Sequence, residues 1–116
     1  MYHRFEENKY PSTNIKIKDF KRHLDLIKEN DFNFISHKEF VDAINSKNLD
    51  RKILLTIDDG FKSFYENAWP ILKQRKIPFI IFINTETIGS NGYMDWSEIK
   101  EISSFEFVHI GNHSHT

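Results

Sequence analysis

Cysteine is absent from this sequence, so neither a disulfide framework nor a thiolate metal site is open to it. Any metal it holds must bind through imidazoles and carboxylates. An excess of charge is missing as well, because 16 Lys and Arg stand against 17 Asp and Glu with no basic tail or stripe. That removes the electrostatic footprint of a nucleic-acid binder, and nucleic acid is not expected as a partner. Long apolar runs are also lacking. The longest surrounds Ile77-Pro78-Phe79-Ile80-Ile81-Phe82-Ile83, far short of the roughly 20 residues that a membrane-spanning helix needs. Met1-Tyr2-His3-Arg4 starts no signal-peptide pattern. What remains is 116 residues, 39% hydrophobic and with 11 Phe, which suits one domain with a modest core.

Along the chain the apolar periodicity changes twice. Phe20, His23, Leu24 and Ile27 recur at helical spacing between charged residues, predicting an amphipathic helix over 19–30. Asn33-Phe34-Ile35 is a short strand candidate. Ser36 followed by Glu39 is a capping-box signature, opening a helix through Phe40, Val41 and Ile44 that ends near Asn45-Ser46. Asn45 to Asp50 then reads as a linker, dividing a lead-in (1–50) from the first βα units of the main body (51–116) within one domain. Lys52 to Ile57 has the branched apolar composition of a strand buried in a parallel sheet. Lys62 to Lys76 has helical period, with Pro70 marking a new first turn or a kink. Pro78 to Ile83 is a second strand, a helix begins near Asp95 or Ser97, and Phe105 to Ile110 is a third strand. Strand, helix, strand, helix, strand predicts an α/β fold of parallel strands with right-handed crossover helices.

In such folds reactive groups gather where the carboxyl ends of strands face one rim. One strand here ends in Asp58-Asp59-Gly60, and another in Gly111-Asn112-His113-Ser114-His115-Thr116. Carboxylates from one end and imidazoles from the other would form the mixed oxygen and nitrogen donor set that suits Zn²⁺, with Co²⁺ or Ni²⁺ as substitutes. Two adjacent carboxylates allow one to bind metal while the other takes a proton from water. Gly60 permits the sharp turn that brings both to the rim. Asp-Asp-Gly is also an ordinary turn with a helix N-cap, and His113 and His115 at i, i+2 have no strong metal spacing alone. Their conjunction on two strand ends is what favours the site.

These residues resemble a known family. Thr56-Ile57-Asp58-Asp59-Gly60 is similar to the Thr-Phe/Tyr-Asp-Asp-Gly first motif of NodB-homology polysaccharide deacetylases, carbohydrate esterase family 4. Gly111-Asn112-His113-Ser114 resembles the start of their second motif, His-Ser/Thr-x-x-His. Glu66 to Leu72, Ile77 to Phe82 and Met94-Asp95-Trp96 look like the family between the motifs. Tyr2-His3-Arg4-Phe5 and Phe20 to Leu24 look like the lead-in of the biofilm-polysaccharide deacetylase subgroup.

The resemblance implies a distorted (β/α)7 barrel, about half of it present here. It implies that Asp58 is the general base and that Asp59 and His113 are metal ligands, the third ligand falling one position beyond Thr116. His115 stands at a variable position of the family and takes no ligand role from it. The family's later motifs supply an Arg that positions the base, an aromatic groove wall and a general-acid His; none is in this sequence. The implied activity is hydrolysis of N-acetyl groups on N-acetylglucosamine-type residues of a polysaccharide or oligosaccharide, and the resemblance points to the cell envelope. This chain is accordingly expected to be a truncated deacetylase domain, inactive alone, with an exposed sheet edge that invites self-association. Two rivals stand beside it: a non-catalytic glycan- or subunit-binding module on the same fold, and an Asp-based phosphatase-like domain, which gives no reason for the histidine loop.

Other residues carry plainer expectations. Trp69 and Trp96 fall in predicted helices and are expected in the core rather than stacked on sugars. Tyr2 and His3 are candidates for the rim. His23, His37 and His109 read as structural or surface residues, and Lys73-Gln74-Arg75-Lys76 as positive charge at a helix C-terminus.

Overall fold

In the computed structural model, which describes residues 1–8 and 10–112, every pairing between strands is parallel. β1 (Arg4–Phe5) pairs with β2 (Asn14–Ile15), and helix α1 (Ile17–Glu29) follows. β3 (Asn33–Phe34), helix α2 (His37–Ser46) and β4 (Lys52–Ile53) come next, β3 pairing with β4. β5 (Leu55–Asp58) then leads through a π-helical turn (Phe64–Ala68) and α3 (Trp69–Arg75) to β6 (Phe79–Ile83). α4 (Trp96–Ser103) and β7 (Val108–Asn112) complete the described chain. The order β5-β6-β7 makes one three-stranded sheet, extended beyond β5 by a parallel bridge between Tyr2 and Ile57. This is an α/β domain of parallel strands and crossover helices, as expected. No described residue pairs with the outer side of β7, and among the described residues no helix is long and apolar enough to cross a membrane.

Local chemistry explains the elements. Ser36 caps α2 with both capping-box bonds, its Oγ accepting from Glu39 N–H at 3.2 Å and Glu39 Oε1 accepting from Ser36 N–H at 3.1 Å. Asp95 and Glu98 make the same reciprocal pair at the start of α4. Pro70 cannot donate a backbone hydrogen bond, and the turn before it is widened: Trp69 N–H bonds to the Phe64 carbonyl, five residues back. The helix predicted over Lys62 to Lys76 is therefore two pieces, a π turn and α3.

Two boundaries and one burial differ from the sequence reading. The run Lys52 to Ile57 is broken at Leu54, its first half pairing with β3 and its second with β6. The last strand begins at Val108 rather than Phe105, because Phe105 and Phe107 turn onto Trp69, with ring centroids 5.1 and 6.4 Å away. Trp96, expected in the core, is 59% exposed at the first turn of α4. Trp69 is buried as expected, its Nε1 donating to Glu101 at 3.2 Å.

The core is aromatic. Phe5, Phe20, Phe64, Phe79 and Trp69 are buried and meet mostly edge to face or tilted, in a line that runs from α1 through the sheet to α3. Such pairs are worth about 0.5–1.5 kcal/mol each beyond the area they bury. Phe5 and Phe20 share one cluster with Leu55, Ile57, Phe79 and Ile81, so the N-terminal segment packs into the body of the fold.

Candidate active site

β5 alternates, with Leu55 and Ile57 buried and Thr56 and Asp58 half-buried. Its side chains thus divide between the core and the rim. Beyond Asp58 the backbone turns through two consecutive left-handed residues, Asp59 at φ 75° and Gly60 at φ 68°. Aspartate tolerates this region better than most residues, and glycine enters it freely. At Gly60 a Cβ would lie 3.2 Å from Ile83 Cγ2, so close packing also favours glycine there. The turn is pinned to the neighbouring strand, where Asp59 N–H donates to the Phe82 carbonyl at 2.9 Å.

The N-terminal segment completes the rim from the other side. Tyr2 N–H donates to the Thr56 carbonyl at 3.0 Å, and Asp58 N–H donates to the Tyr2 carbonyl at 2.7 Å. This brings His3 over the aspartate pair, its Nε2 3.6 Å from Asp58 Oδ2 and 4.0 Å from Asp59 Oδ2. The Asp58 side chain is 13% exposed, whereas that of Asp59 is 33% exposed, so the first sits deeper than the second. Three more contacts hold the segment: Phe5 N–H donates to Ser63 Oγ, Ser63 Oγ–H to Glu7 Oε2, and Asn67 Nδ2 to the Phe5 carbonyl. Tyr2 Oη lies 2.9 Å from His23 Nδ1, and burial raises the Tyr2 hydroxyl above its ordinary pKa.

The register sets where the second strand end leaves the sheet. Asp58 pairs with Phe82, and Phe82 pairs with Gly111. Asp58 and Gly111 thus share one rung, two strand spacings or roughly 10 Å apart. The ring of Phe82 covers Gly111 so closely that a Cβ there would come within 2.7 Å of it. His113, expected as a metal ligand, lies outside the described residues.

The structure brings Asp58, Asp59 and His3 together. His3 was a rim candidate only, because it stands between the isolated Tyr2 bridge and the two-residue strand β1, a segment with no periodicity to locate it. The one local signal was a Tyr-His-Arg-Phe stretch in which tyrosine and phenylalanine flank the two polar residues. His37 and His109 lie elsewhere, stacked on each other with centroids 3.9 Å apart; desolvation and the neighbouring His37 lower the pKa of His109. In kind, the donors at the rim fit a borderline divalent ion, since they are carboxylate oxygens and an imidazole nitrogen. Among the described residues they do not by themselves form a group of three that could hold one. Chemically, a deeper carboxylate touched by imidazole beside a more exposed carboxylate can divide proton transfer from cation binding.

Comparison with known proteins bears on the same stretch. The polysaccharide deacetylase family model matches residues 45–116, which include both aspartates. The poly-β-1,6-N-acetyl-D-glucosamine N-deacetylase of Staphylococcus aureus is 30% identical over 102 residues, covering 83% of this chain and 35% of that protein. The structure of IcaB from Ammonifex degensii superposes with a TM-score of 0.80 at 28% identity, over 97% of this chain and 50% of the other. A de-N-acetylase from Aggregatibacter actinomycetemcomitans shares the fold with a TM-score of 0.84 at 23% identity, over 97% of this chain and 52% of the other. The chain spans a little over a third of the length of the curated relatives it matches.

Proposed function

This chain belongs to the polysaccharide deacetylase family, and from that premise we propose that it carries the aspartate half of a site that removes N-acetyl groups from N-acetylglucosamine-type residues of a polysaccharide. The observation that carries the reading is the meeting of Asp58, Asp59 and His3 on one rim, inside the matched stretch and against its N-terminal lead-in. The S. aureus relative, named for poly-β-1,6-N-acetyl-D-glucosamine, supports the substrate class.

In this reading Asp58 is the general base. It takes a proton from the attacking water as the amide carbon becomes tetrahedral. The intermediate then collapses to acetate and a free amine, which needs a proton in return. His3, in reach of the Asp58 carboxylate, orients it and gives that proton a path towards the leaving nitrogen. Asp59 and His113 would hold a divalent cation, most simply Zn²⁺, which supplies Lewis acidity towards the amide carbonyl and water. The strained backbone at Asp59 fixes the direction of its carboxylate, a common use of a left-handed residue at a site. The chain spans about half of the solved structures it superposes on, and on that ground the 116 residues alone are read as inactive.

Asp58→Asn tests the reading in a protein that also carries the portion its relatives have downstream. Acetate release from a β-1,6-linked N-acetylglucosamine oligomer should fall about 10²–10⁴-fold, the usual worth of a positioned base. Full activity in that variant would end the base assignment. Calorimetric Zn²⁺ titration of the 116-residue chain should give weak binding that disappears in Asp59→Ala and in His113→Ala. Binding indifferent to both would remove the ligand assignment.

A further inference from the structure

Beside the aspartate pair lies a second recess of about 210 Å³, which the chemistry above does not use. Three segments enclose it: Arg4, Glu7 and Tyr10 from β1 and the loop after it, Phe61 from the turn after β5, and Asn91 to Tyr93 from the loop after β6. Parallel pairing sends all three out at the carboxyl ends of strands, on the rim that carries Asp58 and Asp59. Phe61 is two residues beyond Asp59, and Arg4 adjoins His3. The recess and the aspartates are thus neighbours along two separate stretches of chain.

Its wall is a stack of four flat groups. The Arg4 guanidinium lies 4.2 Å over the Tyr10 ring and 3.9 Å over the Phe61 ring, and Phe61 stacks on Tyr93 at 4.9 Å. Arg4 is also engaged at its edges, with Nε 3.4 Å from Glu7 Oε1 and Nη1 donating to Thr13 Oγ1 at 2.6 Å. Tyr10, at the outer end of the stack, is 58% exposed. Its backbone sits at φ 57°, a region that aromatic residues rarely enter, and its carbonyl accepts bonds from both the Thr13 N–H and the Thr13 hydroxyl. A large ring is therefore presented to water from a backbone in a sparsely populated conformation, an arrangement more typical of recognition than of packing.

The ligand class follows from what the wall offers. Arg4 and Glu7 neutralise each other, so an ionic ligand gains little there. An organic cation on the outer face of Tyr10 would be repelled by the Arg4 guanidinium held 4.2 Å from the centroid on the other face of the same ring. The remaining offer is an exposed tyrosine face and the polar edges of Glu7 and Asn91. That combination suits a neutral ring with an apolar face and hydroxyls around its edge. The volume is below the roughly 300–1,000 Å³ of sites for drug-sized ligands, which limits it to one such ring.

We propose that this recess is a sugar subsite, with Tyr10 as the stacking face, which takes a residue adjacent in the polymer to the one presented to Asp58. The inference rests on the deacetylase reading for its substrate and adds that recognition extends along the chain beyond the reacting residue. The test is titration of the 116-residue chain with N-acetylglucosamine and with its β-1,6-linked trimer, followed by NMR chemical shifts. Tyr10→Ala should weaken trimer binding roughly 3–10-fold, the range of one aromatic contact, and lower monosaccharide binding in the same direction. Tyr10→Phe keeps the ring and should bind as the parent does. No trimer binding at millimolar concentration, or no loss in Tyr10→Ala, would each overturn the subsite. Asp58→Asn separates the two ideas: it should lower acetate release about 10²–10⁴-fold in the longer protein while preserving the Tyr10-dependent binding here. An active Asp58→Asn variant would end the hydrolytic reading and leave the binding result standing.

Discussion

Replacing Gly111 by alanine tests whether the register around the rim is as tight as described. Two effects of opposite sign compete. Gly111 is not in the left-handed region, so an alanine there suits the backbone and restricts the unfolded chain, which would stabilise by about 0.4–1 kcal/mol. Against this, the new Cβ would stand 2.7 and 2.8 Å from Phe82 Cδ1 and Cε1, some 0.8 Å inside ordinary contact. Both atoms lie on one edge of a ring that cannot bend, so the whole side chain must move. Overpacking of this kind costs about 1–3 kcal/mol. The clash wins, leaving a net loss of about 1–2 kcal/mol. At roughly 4 °C per kcal/mol for a domain of this size, the melting temperature should fall by about 4–8 °C. Urea and thermal unfolding followed by circular dichroism would read it. Phe82→Leu replaces the flat ring by a smaller side chain that can rotate away from Gly111, and in that background Gly111→Ala should become neutral or stabilising, a coupling of at least about 1 kcal/mol. An unchanged midpoint for Gly111→Ala in the parent, or the same loss in the Phe82→Leu background, would refute the packing argument.

Ser36→Ala removes one half of the α2 capping box and should cost about 1 kcal/mol, visible as a lower urea midpoint with an unchanged slope. Gly60→Ala forces alanine to φ 68° and against Ile83, and should cost about 1–2 kcal/mol; an equal or raised melting temperature would contradict the turn described here. Glu101 has its pKa lowered, first by the hydrogen bond from Tyr65 and then by that from Trp69. A depressed carboxylate contributes stability that is present above its unfolded pKa and lost as pH falls through the folded one. Acid titration in a Trp96→Phe background should therefore release Trp69 fluorescence below the ordinary glutamate range, and Glu101→Gln should flatten that step.

How much of this was legible in advance depends on whether the determinant was local. Ser36 and Glu39 specify α2 within four residues, and both bonds are present. Phe79 to Ile83 is apolar enough to be the middle strand anywhere, and it is. The two-residue strands β1 and β2 have no period to detect, and they exist because the Asn14 side chain and the Thr13 carbonyl meet the backbone near Arg4 and Glu7. Leu54 gives no sign that the run around it changes partners, since the break is set by β3 on one side and β6 on the other. Trp96 was expected in the core by its size alone; at the first turn of a capped helix its direction is fixed by the cap, and that direction is outward. At the site, the aspartate pair was visible as a motif. His3 needed the fold, because the distance between residues 3 and 58 closes only through the pairing of Tyr2 with Ile57.

That pairing also governs when the site comes into being. Asp58 takes its backbone partner from Tyr2, and Ser63 bonds to Phe5 and Glu7, contacts that span more than fifty residues of chain. Closing a loop of that length is slow compared with forming α2 or the π turn, so the rim is assembled late. Hydrogen exchange at Asp58 should then track the undocking of the first residues rather than the unfolding of the sheet. A substitution at Phe5, far from any substrate, would consequently behave in an activity screen as though it had struck the aspartates themselves.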